Sequence, residues 1–456
     1  MIDKTALARA PAPRKPSRPV RFLLLALMVA LSATALAGKP RARVLGIPFD
    51  GTPGANNAIT DVPGVTVGFT TVIADLPGNV AVRTGVTAIL PRRHATLDQP
   101  VFAGLFALNG NGEMTGSHWV EESGFLEGPV MLTNTHSVGV VRDATIQYRV
   151  KQGTPDASGY WWSLLVVAET WDGDLNDING FHVTPEHVAH ALDSASGGPV
   201  AEGNVGGGTG MICHEFKCGT GIASRVATID GHGYTVGALV RANHGVRGEL
   251  RIAGVPVGQY LKDDLPRVVS KDKGSIIIVL ATDAPLLPTQ LKRIARRAAI
   301  GLARNGSYAG NGSGDIFIAF STANPGTAQH AATDRISMLG NDELDPLFIA
   351  SVYATDEAII NAMVAADTMT GTGGMHAVAI DHDALRKVLK RFGRLLAVKY
   401  PHASAPCAQR RYSDSYRRGG ICCVSKFGML RGGWFASLVS DLTILANQPD
   451  QSTRAE

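Results

Sequence analysis

Ser270-Lys271-Asp272-Lys273-Gly274-Ser275-Ile276-Ile277-Ile278-Val279 joins a polar, charged loop to a β-branched run. Ile and Val in succession, bounded by turn residues, read as a buried strand. Ser275 then stands at the first position of a core strand, directly behind a glycine. The plain alternative is a strand that follows an ordinary turn. The sharper one is a chain cut before Ser275, whose new amine and hydroxyl serve together as base and nucleophile.

Reading outward, the strand ends at Thr282-Asp283-Ala284-Pro285. Residues 289–304 read as an amphipathic helix, with Leu291, Ile294, Ala298 and Leu302 inward. Its Lys292, Arg293, Arg296 and Arg297 read as a solvated face. Gly310-Asn311-Gly312-Ser313-Gly314-Asp315 is a tight turn into a strand over 316–320. Helices are expected over 346–366 and 384–396, with a short strand at 378–380.

Upstream, a turn at 57–64 leads into an alternating strand, and residues 80–90 alternate again. Asn109-Gly110-Asn111-Gly112-Glu113-Met114-Thr115-Gly116 is a loop or a strand-to-helix crossing that needs positive φ at some glycines. A buried strand over 129–135 ends polar, and 137–150 can form a helix. The strand over 164–170 ends in Glu169, with Trp171 just beyond it. An acid at the mouth of a core strand is costly unless paired or solvated, so Glu169 is either a solvated loop carboxylate or a ligand. Thr184 and Pro185 cap a helix to 194. The glycine-rich 203–210 lacks the lysine of a phosphate loop and reads as close backbone packing. A strand over 236–240 leads to Arg241-Ala242-Asn243-His244-Gly245, placing the Asn243 amide at a strand end. Residues 247–273 read as an exposed loop. Strands and helices in near alternation call for stacked layers, an α/β class.

The 43 Lys and Arg nearly balance the 39 Asp and Glu, and no basic stripe with interleaved aromatics crosses the middle, which argues against nucleic-acid binding. Lys4, Arg9, Arg14, Lys15, Arg18 and Arg21 precede an apolar run over 22–36 and a small-x-small site at Ala35-Leu36-Ala37. This reads as a cleaved secretory signal over 1–37, with a membrane anchor as the alternative. Export to the periplasm is the expectation if the source is a Gram-negative bacterium. Cys213 and Cys218 could pair in an oxidising compartment. One histidine between them and no second ligand pair argue against a metal site.

No Ser-His-Asp set assembles from the scattered His118, His136, His214 and His244. A serine hydroxyl is a poor nucleophile without a base. If the Gly274–Ser275 bond were cut, Ser275 would carry an α-amine with an ordinary pKa of about 7.7–8.0, and would supply its own base. Gly274, lacking a Cβ, tolerates the strained geometry of that cleavage.

Gly203 to Phe216, Arg241 to Gly245, Gly274 to Pro288 and Asn311 to Thr322 together resemble the DmpA-type family of L-aminopeptidase/D-amidase-esterases, which includes β-peptidyl aminopeptidases. The resemblance runs from about Gly54 to about Lys399. It implies a four-layer αββα sandwich, like the N-terminal nucleophile hydrolases but with its own connectivity. It implies self-cleavage between Gly274 and Ser275 into an α chain (38–274) and a β chain (275–400), assembled as tetramers of αβ units without metal or organic cofactor. Ser275 would be the nucleophile, Ser313 and Asp315 its partners, and Asn243 part of the oxyanion hole. Many β-peptidyl members have glutamate where this chain has Asp315. Glu169 would bind the substrate's ammonium, with Trp171 as a pocket aromatic. The substrate would be a short peptide, amide or ester. An acyltransferase of the ornithine-acetyltransferase type and a non-catalytic secreted binding protein are the rivals. Residues 401–456, with Cys407, Cys422 and Cys423, depart from the family pattern and read as an atypical extension.

Overall fold

In a computed structural model, the strand begun by Ser275 lies near the middle of a sheet that unites segments on both sides of Gly274. The structure describes residues 39–94, 99–152, 162–263, 265, 274–327 and 332–396. The expected signal over 1–37, residues 266–273 of the expected loop and the extension from 401 lie outside the described residues.

Twelve strands matter here. They are β1 (Thr66–Leu76), β2 (Val80–His94), β3 (Val101–Gly110), β4 (Phe125–Leu126), β5 (Val130–Asn134), β6 (Val166–Thr170), β7 (Ile212–Cys213), β8 (Phe216–Lys217), β9 (Thr220–Ile229), β10 (His232–Asn243), β11 (Ser275–Thr282) and β12 (Gly314–Ser321). The helices are α1 (Ser117–Ser123), α2 (Val138–Gln152), α3 (Pro185–Asp193), α4 (Pro288–Arg304), α5 (Asp345–Val364) and α6 (His382–Arg391). One sheet has the order β1-β2-β5-β6, the other β4-β3-β12-β11-β10-β9.

The apolar run of β11 explains the layering. All eight of its residues are buried, and side chains alternate between faces along a strand. Ile276, Ile278 and Leu280 pack with Leu291 and Ile294 of α4 and with Ala354 and Ala358 of α5. Ile277, Val279 and Ala281 pack instead with Ile89, Val130, Leu132 and Val166 of the other sheet. On that sheet's far side, Met131 and Val167 meet Val141 and Ala144 of α2 and Val188 and Leu192 of α3. The order is therefore helices, sheet, sheet, helices: the expected αββα sandwich. Each fully buried Ile or Val adds roughly 1.5–3 kcal/mol of transfer free energy, so both faces of β11 anchor it.

Two parallel pairs shape the site. β5 pairs with β6 and β11 with β12, each pair joined through a helix, α2 and α4 respectively. Parallel neighbours need such a crossover.

Several expectations fail locally. Residues 247–258 are not an exposed loop: Arg247, Leu250, Ile252, Val255 and Val257 are buried around two 3-10 turns. Their apolar side chains alternate with Gly, Glu and Pro, which hid the packing. The short strand is His376–Ala377 rather than 378–380, and α6 stops at Arg391. The basic face of α4 is partly occupied, because the Arg297 guanidinium lies 3.7 Å from the Phe348 ring centroid. β3, β9 and α1 were not anticipated.

Candidate active site

The carboxyl ends of β5 and β6 and the amino ends of β11 and β12 open on one cavity of about 500 Å³. Its walls are Asn111, Gly112, Glu113, Thr135, Glu169, Trp171, Ser275 and Gly312. Both sheets therefore contribute.

Ser275 is the first residue of β11 and is only 5% exposed. Its antiparallel neighbour in register is Asn243, the last residue of β10. The Asn243 side chain is held at both ends. Its Oδ1 accepts from the Ile212 N–H at 2.8 Å, and its Nδ2 donates to the Trp171 carbonyl at 2.8 Å. An amide nitrogen has two protons, so one remains for another acceptor.

Gly274 is required by space. A Cβ there would lie 1.9 Å from the Asn243 carbonyl oxygen. The strained-turn expectation thus gains a simpler reason, which is backbone against backbone.

Behind Gly312, Ser313 and Asp315 are buried at the start of β12, where Asp315 is level with Ile276. The Ser313 hydroxyl donates to Asp315 Oδ1 at 2.8 Å. An aspartate reaches this serine without the longer glutamate side chain.

Glu169 is 4% exposed and is no solvated loop carboxylate. The Glu113 N–H donates to its Oε1 at 3.0 Å, and the Thr135 hydroxyl donates to its Oε2. Hydrogen bonds fix both oxygens while one edge faces the cavity. Sequence reading missed Thr135 and the Asn111–Glu113 wall. The polar end of the 129–135 strand and the Asn-Gly repeat were the available signals, but neither indicated what it faces.

Trp171 is 38% exposed and lines the cavity. Its ring meets His136 edge-on at 5.9 Å, and His136 stacks on Phe181 at 6.0 Å.

A buried cation supports these walls. Arg241, two residues before Asn243 on the same strand face, donates to the carbonyls of Thr133 and, at 3.1 Å, Thr170. It ties β10 to the ends of β5 and β6. Burial lowers its pKa to about 10, against the opposing pull of Asp172 and Glu169. Burial likewise pushes Asp172 up to about 6, with Thr84, Arg241, Asn176 and Asn134 limiting the rise. Among the described residues, no group of three or more His, Cys, Asp or Glu is gathered that could hold a metal.

The geometry sets a strand-initial serine and a fixed carboxylate on a cavity the size of a small ligand, with the oriented Asn243 amide in register beside that serine and Asn243, Ser313 and Asp315 outside the lining residues. Comparison with known proteins points the same way. The model of peptidase family S58 matches residues 57–377. The β-peptidyl aminopeptidase BapA of Sphingosinicella microcystinivorans is 52% identical over 388 residues, covering 81% of this chain and 96% of that protein. BapA of Sphingosinicella xenopeptidilytica is 48% identical over 390 residues, covering 82% and 96%. The structure of the L-aminopeptidase D-Ala-esterase/amidase from Ochrobactrum anthropi, described as a prototype serine aminopeptidase with a variant Ntn hydrolase fold, superposes with a TM-score of 0.74. It is 52% identical and covers 78% of this chain and 100% of its own. These relatives are hydrolases rather than acyltransferases. With the family model spanning well over half of its length, the chain belongs to peptidase family S58.

Proposed function

We propose that this chain is an exported, self-processing serine aminopeptidase that releases N-terminal residues, β-amino acyl residues among them, from short peptides, amides and esters. The observation that carries the reading is the pairing of Ser275 and Glu169 across one cavity, each on a different sheet. A nucleophile at a fixed distance from an ammonium-reading carboxylate is what exo cleavage requires.

Activation comes first. The Ser275 hydroxyl adds to the Gly274 carbonyl carbon, the C–N bond breaks, and the acyl group passes from nitrogen to oxygen. Water hydrolyses the ester, leaving a Gly274 carboxylate and a free Ser275 amine. In the mature site that amine takes the hydroxyl proton as Oγ attacks the substrate carbonyl. The remaining Asn243 proton meets the developing oxyanion. The ammonium then protonates the leaving group, and water hydrolyses the acyl-enzyme, releasing the acid and restoring the Ser275 hydroxyl. Because the Ser313 hydroxyl donates its hydrogen bond to Asp315, its oxygen is left to accept from the Ser275 ammonium and orient it. Glu169 binds the substrate's free amine, which restricts cutting to chain ends.

The two BapA relatives support β-amino acyl substrates. The buried Cys213–Cys218 disulfide and the basic-then-apolar amino terminus support export to an oxidising compartment, the periplasm. The family resemblance supports a tetramer of αβ units. A panel of p-nitroanilides bearing α-L, α-D and β residues tests the specificity. Turnover of β-aminoacyl anilides is expected. Turnover of α-L compounds alone would refute the β assignment.

A further inference from the structure

The Cys213–Cys218 disulfide lies outside the reacting groups, yet it closes the hairpin that holds one of them. Strands β7 and β8 form that hairpin, and both cysteines are fully buried. The hairpin grips the end of β10 at two successive residues. The Ile212 N–H donates to Asn243 Oδ1 at 2.8 Å, and the His214 N–H donates to the His244 carbonyl at 2.6 Å. Its base is tied by the buried Lys217, whose Nζ donates to the carbonyls of Met211 at 3.0 Å and Cys218 at 2.5 Å.

The turn is strained, although the Arg247 side chain braces it by donating to the carbonyls of His214, at 2.9 Å, and Glu215. His214 and Glu215 both have positive φ, at 47° and 60°. That pair of conformations suits Asn and Gly and disfavours other residues. A covalent cross-link directly across such a turn keeps it closed.

A carboxamide has two ends of nearly equal size. The Ile212 N–H marks which end is oxygen. Without it, only the bond to the Trp171 carbonyl selects the orientation. A turned or tilted amide offers less of its N–H, or an oxygen lone pair, to a developing oxyanion. We infer that the Cys213–Cys218 disulfide is a positioning element of catalysis: it holds the Ile212 N–H against Asn243 and so keeps the amide donor aimed at the substrate carbonyl. This rests on Asn243 being the oxyanion donor.

The test is a double-mutant cycle on self-cleaved protein. It compares Cys213→Ala/Cys218→Ala, Asn243→Ala and the triple variant, with active chains counted by their Ser275 amino termini. One hydrogen bond sets the scale, so the cysteine pair variant is expected to lose about fivefold to tenfold in kcat with KM nearly unchanged. Asn243→Ala is expected to lose about 10²–10³ in kcat. In the Asn243→Ala background, removing the cysteines is expected to cost nothing more. If the cysteine variant does not fold, Lys217→Met opens the same hairpin from its base and is expected to give the same kcat-only loss, again absent without Asn243. Unchanged kcat without the disulfide overturns the inference alone. So does an equal loss in both backgrounds. Unchanged kcat in Asn243→Ala overturns the oxyanion assignment, and the inference with it.

Discussion

Replacing Gly274 by alanine adds one methyl group at the bond that self-processing must break. An ideal Cβ there would lie 1.9 Å from the Asn243 carbonyl oxygen and 2.7 Å from the His244 Cα. Both are backbone atoms at the end of β10, where Asn243 is in register with Ser275. A close carbon–oxygen contact needs about 3.3 Å, so against the 1.9 Å available the scissile peptide must shift by about 1.4 Å. A misplacement of about 1 Å can cost on the order of 10²-fold in a positioned reaction. The Gly274→Ala precursor is therefore expected to cleave about a hundredfold more slowly than wild type. A denaturing-gel time course on purified precursor reads this directly. Gly248→Ala is the control, because nothing lies within 4 Å of a Cβ there; it is expected to cleave at the wild-type rate. Once cut, residue 274 ends the α chain and can swing clear, so activity per cleaved chain is expected to stay close to wild type. Wild-type cleavage in Gly274→Ala would refute the reasoning.

Glu169→Gln can still accept from the Glu113 N–H through its one oxygen, with the Thr135 hydroxyl turned round to accept from its NH2, but it removes the charge that would meet the substrate's ammonium. Loss of one partner of a desolvated charge pair typically costs 2–5 kcal/mol, so a rise in KM of about a hundredfold is expected for free-amine substrates; an unchanged KM would remove Glu169 from the site. The rate on mature enzyme is expected to climb as pH rises through about 7.7–8.0, the ordinary range of an α-amine, and an N-acetylated Ser275 terminus is expected to be inactive. Asp172 has a folded-state pKa of about 6 against an ordinary 3.8. A raised carboxyl pKa gives stability that is full below the lower value and lost as pH rises through the upper one. For a rise from 3.8 to about 6 the loss is on the order of 3 kcal/mol. Asp172→Asn lacks this term, so denaturant unfolding is expected to favour the variant progressively, relative to wild type, between pH 4 and pH 7.

The β11 strand was legible because a continuous β-branched run has few other readings. The α4 helix was legible through its apolar stripe, and α3 through the Thr184 and Pro185 cap. β3 was not, because Gly104 interrupts it. That glycine exists for contact: a Cβ there would lie 2.3 Å from the Lys292 backbone nitrogen of α4. β9 was hidden by Ser224 and Arg225, polar residues that look like a surface. Arg225 is in fact buried in an ion pair with Glu357 at 2.6 Å, 132 residues away, which no local pattern encodes. The site followed the same rule. Ser275, Glu169 and Trp171, which line the cavity, and the candidates Ser313, Asp315 and Asn243 could be named from the sequence. Thr135, the Glu113 N–H and the Ile212 N–H could not, because each matters only through a partner that the sheets bring to it.

Self-processing at one peptide bond is the claim on which the chemistry depends, and amino-terminal sequencing of active enzyme tests it most directly. Two termini are expected, one of them Ser-Ile-Ile-Ile from Ser275, with a Ser275→Ala variant that stays a single inactive chain. Active material that never yields a terminus at Ser275, or a Ser275→Ala variant that is cut normally, would contradict the account.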